Sequence, residues 1–399
     1  MKIRARFGRA ALLTALMALG LAGRAEAKPI KIGVLTDISG LQSDNTGRGS
    51  VVAAEMAAEE AGLVLGQKVE VISADHQNKP DIGASIANRW LDQEGVNVIA
   101  DLPTSSIALA VQEIVRRKRG INIVSGGASV ALVREACSPY GFLWTYSTYT
   151  QAHGVGDAMV ASGADTWYFI QADYAFGEAM ATDLRKAVEA RGGKVLGVSK
   201  HPQTTQDFSS YLIKAQASGA KAIALLNAGQ DTTTAIKQAN EFGLVDGGQR
   251  IATFIFLIPD AKALGLAVAK GLVVMNGFYW QQSVDGEAWS RRFAQRFGRM
   301  PTSTQIGVYS AIRHYLKAVK AVGSDDRDKI VEKMRELPVE DAFVSAGRVR
   351  SDGVMLHDML LEEVKSPSES KEEWDVFKIL KRIDGETAFG PVQGCATAQ

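Results

Sequence analysis

Short, nearly continuous apolar runs alternate with amphipathic runs along most of this chain, and few folds accept that alternation. The runs at 30–35, 69–74, 96–102 and 121–124 are rich in β-branched residues and almost unbroken. That is the pattern of strands buried on both faces of a parallel sheet. Between them, 49–61, 81–94 and 105–119 space their apolar residues as a helix does, and Pro80 stands where a first helical turn tolerates a missing N–H. A second series follows the segment 144–149. It predicts helices at 151–162, 176–191, 208–218 and 232–242, with strands at 166–172, 194–198, 222–226 and 251–258. Gly163, Gly192, Gly219 and Gly243 fall where these helices end, supplying the left-handed stop that glycine adopts without strain. The reading is an α/β protein of two lobes, each a parallel sheet flanked by helices with right-handed crossovers.

Beyond 271–280 the texture changes. Runs at 287–297, 304–322 and 327–337 are helical and consecutive, while 342–365 alternates like a hairpin turning at Ser351-Asp352-Gly353. A polar loop over 366–373 precedes a last apolar run at 376–383. About 370 residues past the N-terminal leader exceed what one core organises, which again gives two domains.

That leader has a recognisable build. Lys2, Arg4, Arg6 and Arg9 precede an apolar run over 10–22, and Ala25-Glu26-Ala27 offers the small-x-small pattern of signal-peptidase cleavage before Lys28. An apolar run of about 13 residues is too short to span a ~30 Å hydrocarbon core. No cysteine stands nearby to take a lipid, and no Arg-Arg pair marks the twin-arginine route. An exported, soluble protein is expected. Removing the leader's five basic residues and one acidic residue leaves 40 Lys and Arg against 43 Asp and Glu, a formal charge near −3. Nothing in that balance predicts nucleic acid or an anionic membrane as a partner, since either needs a concentrated basic surface, and no nucleic acid is expected. Two cysteines, Cys137 and Cys395, in an oxidising compartment predict a disulfide tying the tail to the first half; two separate thiols are the alternative.

Catalytic signatures are missing. The five histidines, 76, 153, 201, 314 and 357, do not pair at metal-ligand spacing, and no metal or cofactor is expected. Ser125-Gly126-Gly127-Ala128-Ser129 has the wrong order for a nucleophile elbow, and Thr46-Gly47-Arg48-Gly49-Ser50 is not a phosphate loop. His76 is expected as a solvated loop residue.

Ligands of open parallel sheets bind beyond the carboxyl ends of the strands. There the first series offers Thr36-Asp37-Ile38-Ser39-Gly40, then Leu102-Pro103-Thr104-Ser105-Ser106, then the loop from Ser125 to Ser129 with Gly127 and Ala128. Two hydroxyl-rich loops feeding free N–H groups at helix starts suit a small anion such as a carboxylate, although the same hydroxyls also cap helices. The second series offers Asp173-Tyr174-Ala175-Phe176-Gly177, Asn227-Ala228-Gly229-Gln230-Asp231 and Leu257-Ile258-Pro259-Asp260. The ring of Tyr174 suits closure over a ligand; Phe278 and Trp280 read as hinge or core packing.

With these residues in order, the chain resembles the type I periplasmic solute-binding proteins of ABC importers, in the branch of the leucine/isoleucine/valine-binding proteins. Lys31-Ile32-Gly33-Val34-Leu35 with Ser39-Gly40, Asp101-Leu102-Pro103-Thr104-Ser105-Ser106, Asp173-Tyr174-Ala175-Phe176-Gly177 and Ile236-Lys237-Gln238-Ala239-Asn240-Glu241-Phe242-Gly243 carry the likeness. The resemblance implies Rossmann-like lobes joined by a three-crossing hinge, with 28–146 and 281–341 in the first lobe and 147–280 and 342–399 in the second. It implies a monomer that hands a small carboxylate to an inner-membrane permease in the periplasm, without catalysis. By position, Thr104 falls on a hydroxyl that takes the solute carboxylate, Gly127 and Ser129 on its polar head, and Tyr149 and Tyr174 on second-lobe cleft positions. Ser39, Pro103, Ser105, Ala128, Asn227, Ala228 and Leu257 complete the expected site. One departure stands out. Amino-acid binders of this family carry an acid after the strand matching 251–258, whereas here Asp260 comes one turn too late. A buried ammonium without countercharge costs several kcal/mol, roughly, so an apolar or aromatic acid is favoured over an α-amino acid. Branched-chain amino acid or amide binding, periplasmic sensing and a secreted hydrolase are the alternatives.

Overall fold

A computed structural model describes residues 28–392; the leader, its cleavage point and Cys395 lie outside the described residues. The first lobe is built on five parallel strands, β1 (Ile30–Thr36), β2 (Val69–Asp75), β3 (Val98–Asp101), β4 (Ile121–Val124) and β5 (Gly141–Leu143), in the order β2-β1-β3-β4-β5. The second lobe repeats the plan with β6 (Thr166–Ala172), β7 (Lys194–His201), β8 (Ala222–Ala228) and β9 (Arg250–Ile255), ordered β7-β6-β8-β9. Both central strands are apolar on both faces because helices cover both sides. In each lobe the order reverses beside the first strand, which is where such sheets leave a crevice.

The C-terminal third departs from simple alternation. β10 (Val273–Asn276) lies beside β9. Helix Ser303–Val322 then returns to the first lobe and packs along helix Gly47–Ala61. A small antiparallel sheet of β11 (Pro338–Val339), β12 (Gly347–Val349) and β13 (Met355–Leu356) follows, turning at 351–353 as the alternation suggested. It belongs with the first lobe: Leu143 N–H donates to Gly353 O at 3.0 Å, and Leu143 bridges to Val354. Only β14 (Met359–Val364) and β15 (Phe377–Ile383) join β10 in the second lobe. The single hairpin expected over 342–365 is therefore two elements in two lobes. The last crossing falls after Leu356 and not at 341/342, because the edge of β5 captures the turn.

Three crossings meet at one point. The His357 ring places Nε2 2.9 Å from Thr145 O on the first crossing and Nδ1 2.8 Å from Asp358 O on its own. Gly277, on the second crossing, lies so close that a Cβ there would sit 3.0 Å from both the ring and Thr145 O. Burial pushes His357 down to about 4, so at neutral pH the ring can donate to only one of its two carbonyls. Phe278, Tyr279 and Trp280 are buried beside this point: the Tyr279 hydroxyl oxygen accepts from Val376 N–H and Phe377 N–H, and Trp280 Nε1 donates to Trp374 O at 3.0 Å. They are packing residues of the hinge. Cys137 is buried in the first lobe.

Candidate functional site

Loops from the carboxyl ends of both sheets face each other across one cleft. From the first lobe come Gln42, Asn45 and Thr46 after β1, Pro103 and Ser105 after β3, Gly126 and Ala128 after β4, and Thr304 from the returning helix. The second lobe adds Tyr174 and Phe176 after β6, Ala228 at the end of β8, and Ile255 and Leu257 at the end of β9; Tyr146 joins from the first crossing. The free interior is about 10 Å³, room for little more than one water. No Lys, Arg, His, Asp or Glu lines it among the described residues.

Local chain geometry sets these residues. Asp101 and Leu102 take consecutive left-handed conformations, φ +81° and +55°, turning the chain sharply off β3 so that Pro103 and Ser105 reach the cleft. Helix Ser105–Lys118 then presents its first N–H groups, which have no acceptor inside the helix. Ser105 Oγ accepts from Ser129 N–H at 3.2 Å, joining this loop to the next. Tyr146 donates to Gly126 O at 3.2 Å, and burial raises the pKa of Tyr146 and Tyr174 so that both phenols stay neutral. Tyr174 and Phe176 pair with ring centroids 6.0 Å apart, an apolar wall opposite the N–H groups' lobe.

Of the residues expected from sequence, Pro103, Ser105, Ala128, Tyr174, Ala228 and Leu257 meet in this cleft. The others are placed differently. Ser39 is exposed and donates to Asp75 Oδ2 at 2.6 Å. Thr104 donates to Asn78 Oδ1 at 2.6 Å, and Ser129 accepts from Ala131 N–H within its own turn. Gly127 lies behind the lining, where a Cβ would be 2.8 Å from Leu102 O. Asn227 is held by His201 Nε2 at 3.2 Å and Thr232 at 2.8 Å. Tyr149 packs against His153, 4.1 Å between ring centroids with the planes tilted by 33°, in a separate opening with Arg134, Arg350 and Phe389. Gln42, Asn45, Thr46, Tyr146 and Thr304 lie outside the strand-end stretches legible in the sequence; the first three come within six residues after Gly40, where the first of those stretches ends.

Two acidic features lie close to these loops. Asp260 is buried at the cleft margin, where its Oδ2 accepts from Leu257 N–H at 2.8 Å and from Asn45 Nδ2 at 3.1 Å; burial pushes the carboxyl up to about 7. Asp37, Asp75 and His76 bring ligand-type atoms within 4.8 Å of one another. His76 is fully buried, correcting the expectation of a solvated ring, and burial lowers it to about 4. Its Nδ1 accepts from Asn78 N–H at 3.1 Å, so the neutral ring carries its proton on Nε2 and has no lone pair left for a cation. Asp37 in turn accepts from Gly40 and Gln42 N–H groups. These three side chains hold loops.

Two hinged α/β lobes closing their strand ends over one small neutral cleft define a ligand-capturing protein. Residues 29–371 match the periplasmic binding protein family model, and the chain belongs to that family. The Leu/Ile/Val-binding protein homolog 4 of Brucella abortus (strain 2308) is 25% identical over 411 residues, 97% of each chain. Among solved structures, a periplasmic binding protein from Burkholderia mallei is 42% identical with TM-score 0.91, covering 93% of this chain and 99% of that one. A branched chain amino acid ABC transporter periplasmic ligand-binding protein from Burkholderia xenovorans LB400 is 37% identical with TM-score 0.83, covering 93% and 100%. An R. palustris solute binding protein in complex with benzoate has TM-score 0.80 at 17% identity over 92% and 100%, a likeness of fold alone. The chain is thus a periplasmic solute-binding protein of ABC transport type. No described helix is long and apolar enough to cross a membrane.

Proposed function

We propose that this protein captures a small carboxylate with an apolar or aromatic body in the interlobe cleft and delivers it unaltered to an inner-membrane permease. The observation that carries the reading is a lining without any charged side chain. A carboxylate finds N–H donors at the start of helix Ser105–Lys118 and hydroxyls at Ser105 and Thr304, while Phe176, Ile255, Leu257 and the two tyrosine rings meet its apolar part. For an α-ammonium the carboxyl at the cleft margin, Asp260, is a poor counterion, because its Oδ2 is engaged by Asn45 and Leu257 and burial holds it toward its neutral form. Among the described residues no nucleophile stands beside a charged or imidazole base in the cleft lining, which supports binding without turnover. The mature protein acts in the periplasm, as a monomer, with the Cys137–Cys395 bridge as a further part of the proposal.

Branched-chain amino acid binding is the second reading, favoured by the 37% identical Burkholderia xenovorans protein's name. Calorimetry with leucine, valine, benzoate and 4-hydroxycinnamate separates the two. Binding of an aromatic acid with leucine inert is expected; tight leucine binding with inert aromatic acids overturns the proposal.

A further inference from the structure

Among the described residues, few polar contacts bridge the two lobes across the cleft mouth, and they are unequal. Arg134 approaches Asp183 at 3.4 Å near the first crossing. Gln230 N–H reaches Leu41 O at 3.4 Å, a long contact. Asn45, in the loop after β1, donates from Nδ2 to Asp260 Oδ2 at 3.1 Å, and this bond is buried. Both partners are fixed from behind. Thr302 Oγ1 donates to Asn45 O at 2.7 Å, and Leu257 N–H donates to the same Asp260 oxygen at 2.8 Å.

We propose that Asn45 and Asp260 form a latch that holds the lobes closed and turns the Asn45 carbonyl oxygen toward the solute. The chemistry of the pair dictates the orientation. Asp260 Oδ2 already accepts from Leu257 N–H, so any proton on the carboxyl sits on its other oxygen and Oδ2 stays an acceptor; the amide must face it with its nitrogen, and the Asn45 side-chain Oδ1 is left over. That Oδ1 is buried, has no partner, and belongs to a residue lining the cleft. A buried acceptor without a donor is costly, and a solute hydroxyl or N–H supplies one. The solute class, which rests on the carboxylate reading above, thereby narrows to a carboxylate that also carries a hydrogen-bond donor. Asp260 is a positioning residue: it acts on the solute through Asn45.

Other titratable groups near the latch are Asp44, which disfavours ionisation of Asp260 and is itself paired with Arg299 at 2.6 Å, and the neutral phenol of Tyr146. Asn45→Asp sets two carboxylates face to face, so the latch opens at pH 8 and re-forms near pH 5, where one shared proton restores the bond. Small-angle scattering without solute reads lobe closure. The wild type is expected to be compact at pH 8, with Asn45→Asp larger at pH 8 and compact at pH 5. An open wild type, an Asn45→Asp protein as compact as wild type at pH 8, or one still open at pH 5 overturns the latch.

Calorimetry then reads the acceptor. The wild type is expected to bind 3- or 4-hydroxybenzoate, whichever is tighter, about tenfold better than benzoate. Equal binding overturns the role of Oδ1. A wild type that closes yet binds no carboxylate probe overturns the solute reading and leaves the scattering result to decide the latch.

Discussion

Closure also depends on a position without a side chain. Gly229, at the end of β8, has φ +61°, and a Cβ on it would lie 2.2 Å from Leu41 O of the opposite lobe. In an open protein that space is free, so Gly229→Ala acts on the closed state beyond its conformational cost of about 1 kcal/mol. Solute affinity is expected to fall at least about tenfold while thermal stability falls only modestly; a calorimetric titration beside a melting curve checks both. The cleft residues illustrate what a sequence makes visible. Pro103, Ser105, Ala128, Tyr174, Ala228 and Leu257 were legible because each follows a readable strand end. Thr104 and Tyr149 sat in equally suggestive places, yet their side chains turn to Asn78 and His153. Side-chain direction within an irregular loop is set by neighbours remote in sequence, and strand ends do not report it. Thr304 was out of reach for a related reason: it arrives on a helix some two hundred residues from the loops it meets.

That helix, Ser303–Val322, is the element on which the first lobe's cleft loop rests. Thr302 caps it, accepting from Gln305 N–H at 3.2 Å while Gln305 Oε1 accepts from Thr302 N–H at 3.0 Å. The same two side chains reach Asn45 O at 2.7 Å and Thr46 O at 3.1 Å. Thr302→Ala therefore removes a cap and a loop anchor together. A loss of about 1–2 kcal/mol in urea unfolding is expected, accompanied by faster amide exchange over 42–46; a stability loss without that exchange change contradicts the anchoring role. Periodicity revealed the helix itself, since twenty residues of amphipathic spacing are hard to mistake. It did not reveal that β13 and β14, two residues apart, serve different lobes. Both read as alternating strand, and only the hydrogen bond from Leu143 to Gly353 decides the partner.

At the scale of the molecule, buried titratable groups give stability a characteristic pH profile. Burial raises Asp101 and Asp260 to about 7 and Glu362 to about 8, whereas unfolded carboxyls release their protons near pH 4. Above about pH 6.5 the folded state holds protons that the unfolded state has lost, so stability falls as pH rises toward 8. Burial lowers His76, His314 and His357 to about 4, so below about pH 6.5 the unfolded state holds more histidine protons and the sign reverses for them. Between about pH 4.5 and 6.5 the two groups oppose each other, with Asp231, raised to about 6 by burial, adding to the carboxyl side, so the profile changes less there than at higher pH. Urea midpoints measured from pH 4.5 to 8.5 are expected to plateau and then decline; a steady rise through pH 8 contradicts these burials. The two-lobed plan was legible throughout, because parallel strands and their crossover helices write their periods into sequence.

Hydrogen exchange on the protein with and without its tightest-binding carboxylate tests the central claim most directly. Capture between the lobes predicts simultaneous protection of the first-lobe loops around 42–46, 103–106 and 126–128 and the second-lobe loops around 174–177, 228–230 and 255–258. Protection confined to one lobe, or centred on the opening beside Tyr149 and Arg350, would contradict it.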